Sequence, residues 1–169
     1  MQVDVAVVGG GPAGSAAATL LARAGRSVLL IDKATFPRDK CCGDGLTTLA
    51  LRLCEQLGLD PDQTSSWHPV AGAVMHSTSG WAATFQLPTG SGQFAAVVPR
   101  AELDLALLDL ASAAGADVSQ NSALAGIRID GDSAVLEVDG IGEVAAGAVV
   151  AADGMWSPTR RSLGLTEEG

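Results

Sequence analysis

Apolar and polar positions alternate along this chain in blocks that change period. Residues 3–8 (VDVAVV) are β-branched and largely apolar, the pattern of a buried strand of the parallel kind. A Gly-rich turn follows. Residues 12–24 (PAGSAAATLLARA) then predict a helix, with Pro12 near its first position and Gly25 ending it. Residues 27–32 (SVLLID) predict a second buried strand, which completes a βαβ unit with an expected right-handed crossover. Residues 33–45 are a loop of alternating charge, and 46–57 predict a helix. Asp60, Pro61 and Asp62 mark a turn. Two or three short strands are expected within 69–98, and 100–114 (RAELDLALLDLASAA) is an apolar-periodic helix. From 117 to 150 the pattern is one of strands turning at Asp130-Gly131-Asp132 and Asp139-Gly140. A further buried strand is expected at 147–152, broken by Asp153-Gly154.

The first turn carries chemistry. Gly9, Gly11 and Gly14 give G-x-G-x-x-G between a strand and a helix. In that context the first glycine permits a tight turn, the second lets a diphosphate approach the backbone, and the third lets helix and strand pack closely. The helix N-terminus offers unbonded N–H groups and a partial positive charge to phosphate. Asp32 follows Gly14 by 18 residues, at the end of the second strand, where a carboxylate takes ribose hydroxyls. A negative group there disfavours a 2′-phosphate.

Charge narrows the partners. Net charge is −9, with only ten Lys and Arg in 169 residues, so no nucleic-acid partner is expected. The basic residues cluster: Lys33, Arg38 and Lys40 in one stretch, Arg160 with Arg161, and Arg100 at a helix start. Clusters in an acidic chain suggest local anion sites, with solvated surface as the plain alternative. Cys41, Cys42 and Cys54 are an odd set without framework spacing, which points to a reducing, cytoplasmic setting. Val5–Ala22 is eighteen residues without a charge, but three glycines and Pro12 interrupt it and no basic segment precedes it. Neither a transmembrane helix nor a signal peptide is expected. His68 and His76 lack metal-ligand spacing, so no metal is expected. Of six aromatic residues, Trp67, Trp81, Phe85 and Phe94 fall between 67 and 94, as sheet core or the lining of an apolar pocket.

Four stretches together, VVGGGPAGSAAA (7–18), FPRDKCCGDGL (36–46), PRAELDLALLDLASAAGADV (99–118) and VVAADGMWSPTRRSLGL (149–165), resemble the geranylgeranyl reductase family of FAD-dependent oxidoreductases. That family lies within the wider group of aromatic-ring hydroxylases and flavin monooxygenases. The resemblance spans essentially the whole chain. It implies an α/β, Rossmann-like FAD-binding fold with a parallel sheet, a β-meander insertion and the start of a β-rich substrate domain. On this reading 1–66 and 99–169 form the FAD-binding domain, and 67–98 begin the substrate domain.

By resemblance, Gly11, Ala13 and Gly14 touch the FAD diphosphate and Asp32 the adenosine ribose, with Gly9, Pro12 and Lys33 also among the cofactor-binding residues. Arg38, Cys42, Gly43 and Asp44 run toward the flavin ring, Lys40, Cys42 and Gly43 matching a K-x-C-G pattern. Arg100 contacts the cofactor from its helix start, and Leu124 lies beside the adenine. Asp153 and Gly154 match A-D-G-x-x-S-x-x-R, with Ser157 and Arg160 following. Cys42 is the candidate catalytic residue, with space-filling beside the cofactor as the plain alternative. Cys41 departs from the pattern, which has only the second cysteine.

The activity implied is reduction of carbon–carbon double bonds in an isoprenoid or prenyl-quinone chain by hydride from reduced FAD. NAD(P)H or another reductant is the expected electron donor, and an apolar small molecule or lipid the expected substrate, with peripheral membrane contact in a longer protein. The alternatives are an FAD-dependent monooxygenase acting on an aromatic or polyketide substrate, and a non-catalytic FAD-binding fragment. Members of the family are far longer than this chain and carry a further Gly-Asp FAD motif in their later half. The end at Thr166-Glu-Glu-Gly169 therefore reads as that of a fragment.

Overall fold

The computed structural model describes residues 1–88, 90 and 92–165; the expected fragment end at 166–169 lies outside them. The chain divides into two compact units, Met1–Arg38 with Asp104–Gly169, and Asp39–Leu103.

In the first unit, β1 (Gln2–Val8), α1 (Pro12–Arg23) and β2 (Val28–Ile31) form the expected βαβ unit. After the helix α3 (Arg100–Ala113) come β8 (Asp117–Ser119), β9 (Leu124–Asp130), β10 (Ser133–Val138), β11 (Gly142–Ala151) and the short helix α4 (Pro158–Ser162). One six-stranded sheet has the order β8-β2-β1-β11-β10-β9. Its β8, β2, β1 and β11 pair in parallel, and β11, β10 and β9 pair antiparallel as a meander.

Strand β11 does both jobs. Its residues 142–146 pair antiparallel with β10, and 145–151 pair in parallel with β1. The separate buried strand expected at 147–152 is thus the second half of a ten-residue strand. It is not buried throughout: Gly147, Ala148 and Ala151 are exposed.

The strands alternate their faces with period two. Val5, Val7, Val28 and Leu30 join Ala18 of α1, Leu108 and Ala111 of α3, Phe36 and Ala116 in one core cluster. Ala6, Val8, Leu29 and Ile31 join Ala134, Leu136, Val138, Val144 and Ala146 of the meander in the other. Each fully buried Leu or Ile here stabilises the fold by about 1.5–3 kcal/mol.

The second unit holds β3 (Gly45–Leu46), α2 (Thr48–Leu57), a 3₁₀ turn (Pro61–Gln63), β4 (His68–Pro69), β5 (Gly72–His76), β6 (Ala82–Gln86), β7 (Ala96–Val97) and the first turn of α3. Strands β3, β7 and β4 form one small antiparallel sheet, and β5 with β6 a hairpin. The compact units part at 38/39 and 103/104. The reason is that α2 is tied to residues just before β7. The Thr48 hydroxyl donates to Phe94 O at 2.7 Å, and Arg52 Nη2 donates to Gln93 O at 2.6 Å.

The aromatic residues of this unit are not sheet core as a group. Trp81 is 78% exposed and Phe85 53%, because both faces of a two-stranded hairpin lie open. Trp67 is half-buried, and its indole N–H donates to Gln93 Oε1 at 2.9 Å.

Candidate functional site

The Gly-rich turn lies between β1, α1 and the end of β11. Gly9 has φ +106, and a Cβ there would stand 2.4 Å from Ala152 O. A Cβ on Gly14 would stand 1.8 Å from Gly9 O. Both positions are closed to any side chain, and they draw α1 against the sheet. Gly11 differs: among the described residues beyond its chain neighbours, a Cβ there would meet just Arg38 Nη2, at 3.6 Å. The middle glycine therefore borders open space flanked by a guanidinium.

Helix α1 begins with Pro12 after Gly11, which offers no side-chain cap. Its first intrahelical bond is Ser15 N–H to Gly11 O, 2.9 Å, so the N–H groups of Ala13 and Gly14 precede the helical ladder. Gly14, Ser15, Ala18 and Thr19 form its buried stripe. The hydroxyls of Ser15 and Thr19 are satisfied locally, by Gly10 O at 3.1 Å and Ser15 O at 2.7 Å.

Asp32 caps the turn from β2. Its Oδ2 accepts Gly10 N–H at 2.7 Å and its Oδ1 accepts Ala34 N–H at 2.8 Å. Each oxygen keeps a further lone pair for a hydroxyl donor. Lys33 beside it is exposed.

Arg38 reaches the turn across the Phe36 ring, its guanidinium carbon 4.8 Å from the centroid. Its Nη1 lies 3.2 Å from Oδ2 of Asp104, which is fully buried on α3. That contact is an ion pair without hydrogen-bond geometry, and buried Nη1 has no hydrogen-bond acceptor.

The Asp153-Gly154 turn follows β11, and the Asp153 Cα would lie 3.0 Å from a Cβ on Gly9. Asp153 Oδ2 accepts Thr159 N–H at 2.9 Å, whereas Oδ1 is buried without a partner. Burial raises the Asp153 pKa, but hydrogen bonds from Ser157 and Thr159 outweigh it and the net shift is downward. Gly154 has φ +84, where glycine is the natural occupant. Ser157 caps α4, its hydroxyl accepting Arg160 N–H at 2.9 Å. Leu124 opens β9, pairs with Val138 and packs against the second core cluster.

In the second unit, Cys42 and Gly43 are exposed and Asp44 is half-buried at φ 54. Asp44 serves the start of α3. Its Oδ1 accepts Arg100 N–H at 3.3 Å, and its carbonyl accepts Val98 N–H at 3.0 Å. Hydrogen bonds from the Asp44 backbone and the Arg100 side chain hold the Cys42 thiol below its usual pKa. Cys41, Cys42 and Cys54 are all free thiols.

The structure thus brings Gly9, Gly11, Pro12, Ala13, Gly14, Asp32, Arg38, Asp153 and Gly154 around one turn of the first unit. It groups Cys42, Gly43, Asp44 and Arg100 in the second. The sequence reading missed Asp104 and Phe36, which hold Arg38. The available signal was a carboxylate inside the apolar run LDLALLDL. Among the described residues no group of His, Cys, Asp or Glu is placed to hold a metal, and no helix is long and apolar enough to cross a membrane.

This cradle suits a dinucleotide. Open backbone at Gly11, the Arg38 Nη2 nitrogen beside it, and a carboxylate with spare lone pairs match a diphosphate next to a ribose. The model of the FAD binding domain family matches residues 2–169. A menaquinone reductase of Mycolicibacterium smegmatis is 38% identical over 173 residues, covering 98% of this chain and 41% of the relative. A rifampicin monooxygenase of Streptomyces venezuelae is 31% identical over 168 residues, covering 98% and 35%. A crystal structure of a geranylgeranyl bacteriochlorophyll reductase-like protein from Thermoplasma acidophilum superposes with a TM-score of 0.84 at 30% identity, covering 98% and 42%. The chain spans about two fifths of the length of the two reductase-type proteins. It belongs to the FAD binding domain family, as a flavoprotein whose relatives include reductases of the geranylgeranyl type.

Proposed function

We propose that this chain is the cofactor-binding portion of an enzyme that saturates carbon–carbon double bonds of an isoprenoid or prenyl-quinone substrate. The observation that carries the reading is the pair of reductase-type proteins matched over 98% of the chain, at 38% identity in sequence and a TM-score of 0.84 in structure. FAD held here, reduced by NAD(P)H or another reductant, would supply hydride chemistry.

The chain's own residues bind and orient. Gly11, with the N–H groups of Ala13 and Gly14 behind Pro12, admits the diphosphate, and Arg38 neutralises it. Gly9 and Gly14 keep the turn close to β11, and Asp32 holds the ribose hydroxyls with Lys33 beside it. Gly43, Asp44, Arg100, Leu124, Asp153 and Gly154 complete the cofactor contacts that the family pattern implies. Saturating a double bond takes a hydride on one carbon and a proton on the other. Cys42 is the proposed proton donor, because the family pattern runs its loop toward the flavin ring; the Asp44 backbone and the Arg100 side chain also hold its pKa below the usual value. Residues 67–98 begin the substrate domain in this reading, and the exposed apolar side chains of Val74, Met75, Trp81 and Phe85 suit an apolar substrate.

The rifampicin monooxygenase relative supports a second reading, oxygen transfer to an aromatic substrate. One experiment separates them. The protein as its gene encodes it is reduced anaerobically and mixed with a prenyl quinone or geranylgeranyl lipid. Flavin reoxidation, with a product richer by one pair of hydrogens, is the expected result. No reoxidation by prenyl lipids, together with aromatic-stimulated oxygen consumption, would transfer the assignment to the monooxygenases.

A further inference from the structure

We propose that Asp104 is a positioning residue for the cofactor: its buried carboxylate fixes one nitrogen of Arg38 so that the other stands over Gly11. The inference rests on the reading of the Gly-rich turn as the FAD diphosphate site.

Asp104 is 0% exposed within α3, among Leu103, Ala106, Leu107 and Leu108, all buried. A carboxylate in such surroundings is costly unless a cation faces it. Arg38 provides that cation, with Nη1 3.2 Å from Oδ2 of Asp104 and the side chain only 16% exposed. The fork of the guanidinium then does two things. Nη1 faces the carboxylate, and Nη2 stands 3.6 Å from a Cβ built on Gly11, with no other atom of the described residues beyond its chain neighbours within 4 Å. The Phe36 ring, 4.8 Å below the guanidinium carbon, backs its plane. Nη1 lacks a hydrogen-bond acceptor, so the pair is held by charge and packing rather than by a closed bidentate bridge. A bidentate bridge would turn both nitrogens toward Asp104. The observed arrangement leaves one directed at the turn.

This geometry explains why a carboxylate sits on an otherwise apolar face. Arg38 follows a loop and has a long side chain with many rotamers. Fixing it before the ligand arrives removes an ordering cost from binding. A lysine does not substitute, because a single ammonium cannot face Asp104 and the diphosphate in a fixed fork.

The test uses ADP, which carries the diphosphate, and adenosine, which does not. Both are titrated against the whole protein and against Asp104→Asn, Arg38→Gln and the double variant, with FAD affinity and melting temperature measured alongside. Asp104→Asn is expected to lower the ratio of ADP to adenosine affinity about tenfold. Arg38→Gln lowers it at least as far, and the double variant falls no further than Arg38→Gln alone. A purely structural Asp104 would lower the melting temperature and weaken both ligands alike, which overturns the proposal. So does an unchanged ratio in a folded Asp104→Asn protein, or a further fall in the double variant. Should Asp104→Asn not fold, Arg38→Lys decides: it keeps a cation beside Asp104 and should still lose the ADP preference, whereas a retained preference overturns the proposal. If the parent protein binds neither FAD nor ADP, the cofactor reading itself fails and the inference falls with it. If the parent binds both, a failed ratio test refutes only the role of Asp104.

Discussion

The Oδ2 atom of Asp32 accepts the backbone N–H of Gly10 at 2.7 Å, so the end of β2 is bonded directly to the turn that follows β1. Its other oxygen accepts Ala34 N–H at 2.8 Å. One carboxylate thus shapes the empty side of the Gly-rich turn and stands where ribose hydroxyls are expected. Binding and folding share a residue here, and substitutions at Asp32 act on both.

Asp32→Ala is expected to weaken FAD binding by about 1–3 kcal/mol through loss of charge-assisted hydrogen bonds. Asp32→Asn should fare little better. Both oxygens accept N–H groups, and the amide nitrogen would set a donor against a donor. Titration of apoprotein with FAD, and denaturant midpoints without FAD, measure the two effects. An Asn variant with parental midpoint and affinity would refute the two-acceptor account.

The three motif glycines are expected to fail in different ways. Gly14→Ala forces a methyl to within 1.8 Å of Gly9 O, a backbone atom, and should destabilise the fold by about 3 kcal/mol or more. At Gly11 an added Cβ would stand 3.6 Å from Arg38 Nη2, an ordinary contact with a flexible side-chain end, so Gly11→Val is expected to fold and melt near the parent temperature. Its side chain nevertheless occupies the diphosphate path, and the purified protein should lose its yellow colour. A colourless but unfolded Gly11→Val, or a yellow folded one, contradicts this division.

Much of this was legible because local rules and the fold agree. The apolar run before Gly9, Pro12 at the helix start and the Asp-Gly turns at 130–131 and 139–140 each specify their own element. Strand β11 was harder. A ten-residue strand that changes partners halfway, from antiparallel β10 to parallel β1, looks in sequence like two strands. The hairpin β5–β6 misled for a different reason. Trp81 and Phe85 have strand propensity, but propensity does not say whether a face is covered. The Arg38–Asp104 pair joins positions far apart in the chain, and nothing in a helical period announces a buried carboxylate's distant partner.

Asp153 gives a pH dependence. Its pKa is lowered in the fold, because hydrogen bonds from Ser157 and Thr159 exceed the opposing effect of burial. A depressed carboxyl pKa contributes stability that is fully present above the ordinary aspartate value of 3.8 and is lost as pH falls through the lower folded value. Parent protein should therefore lose melting temperature below about pH 4 more steeply than Asp153→Asn. At pH 7 the order reverses, with the Asn variant less stable. Melting curves at both pH values check the sign, and parallel acid limbs in the two proteins would show that Asp153 is not the group involved.

Cys42 and Cys54 make opposite predictions from one sequence stretch. The Asp44 backbone and the Arg100 side chain lower the Cys42 pKa, whereas burial and neighbouring Glu55 raise that of Cys54. The thiolate is the reacting form, so alkylation of Cys42 should rise with pH at a midpoint below 9.0, with Cys54 slow throughout. Arg100→Gln should move the Cys42 midpoint upward, since it removes a hydrogen bond and a positive charge that favour the thiolate. Mass spectrometry of peptides after pulsed alkylation reads each cysteine separately. An unmoved midpoint would mean that Arg100 does not act on the thiol. The same acidity bears on catalysis. If Cys42 supplies the proton when a double bond is saturated, Cys42→Ala should slow anaerobic reoxidation of reduced flavin by a prenyl lipid at least about tenfold, within the range ordinary for lost acid catalysis, while FAD affinity changes far less. Cys42→Ser, with a hydroxyl far less acidic than a thiol, should be nearly as slow and should lose any rate dependence on a group titrating below 9.0. A space-filling thiol predicts the reverse pattern, in which serine restores the rate. Full activity in both variants would take the proton donor elsewhere and leave the acidity of Cys42 as a consequence of its place beside Asp44 and Arg100.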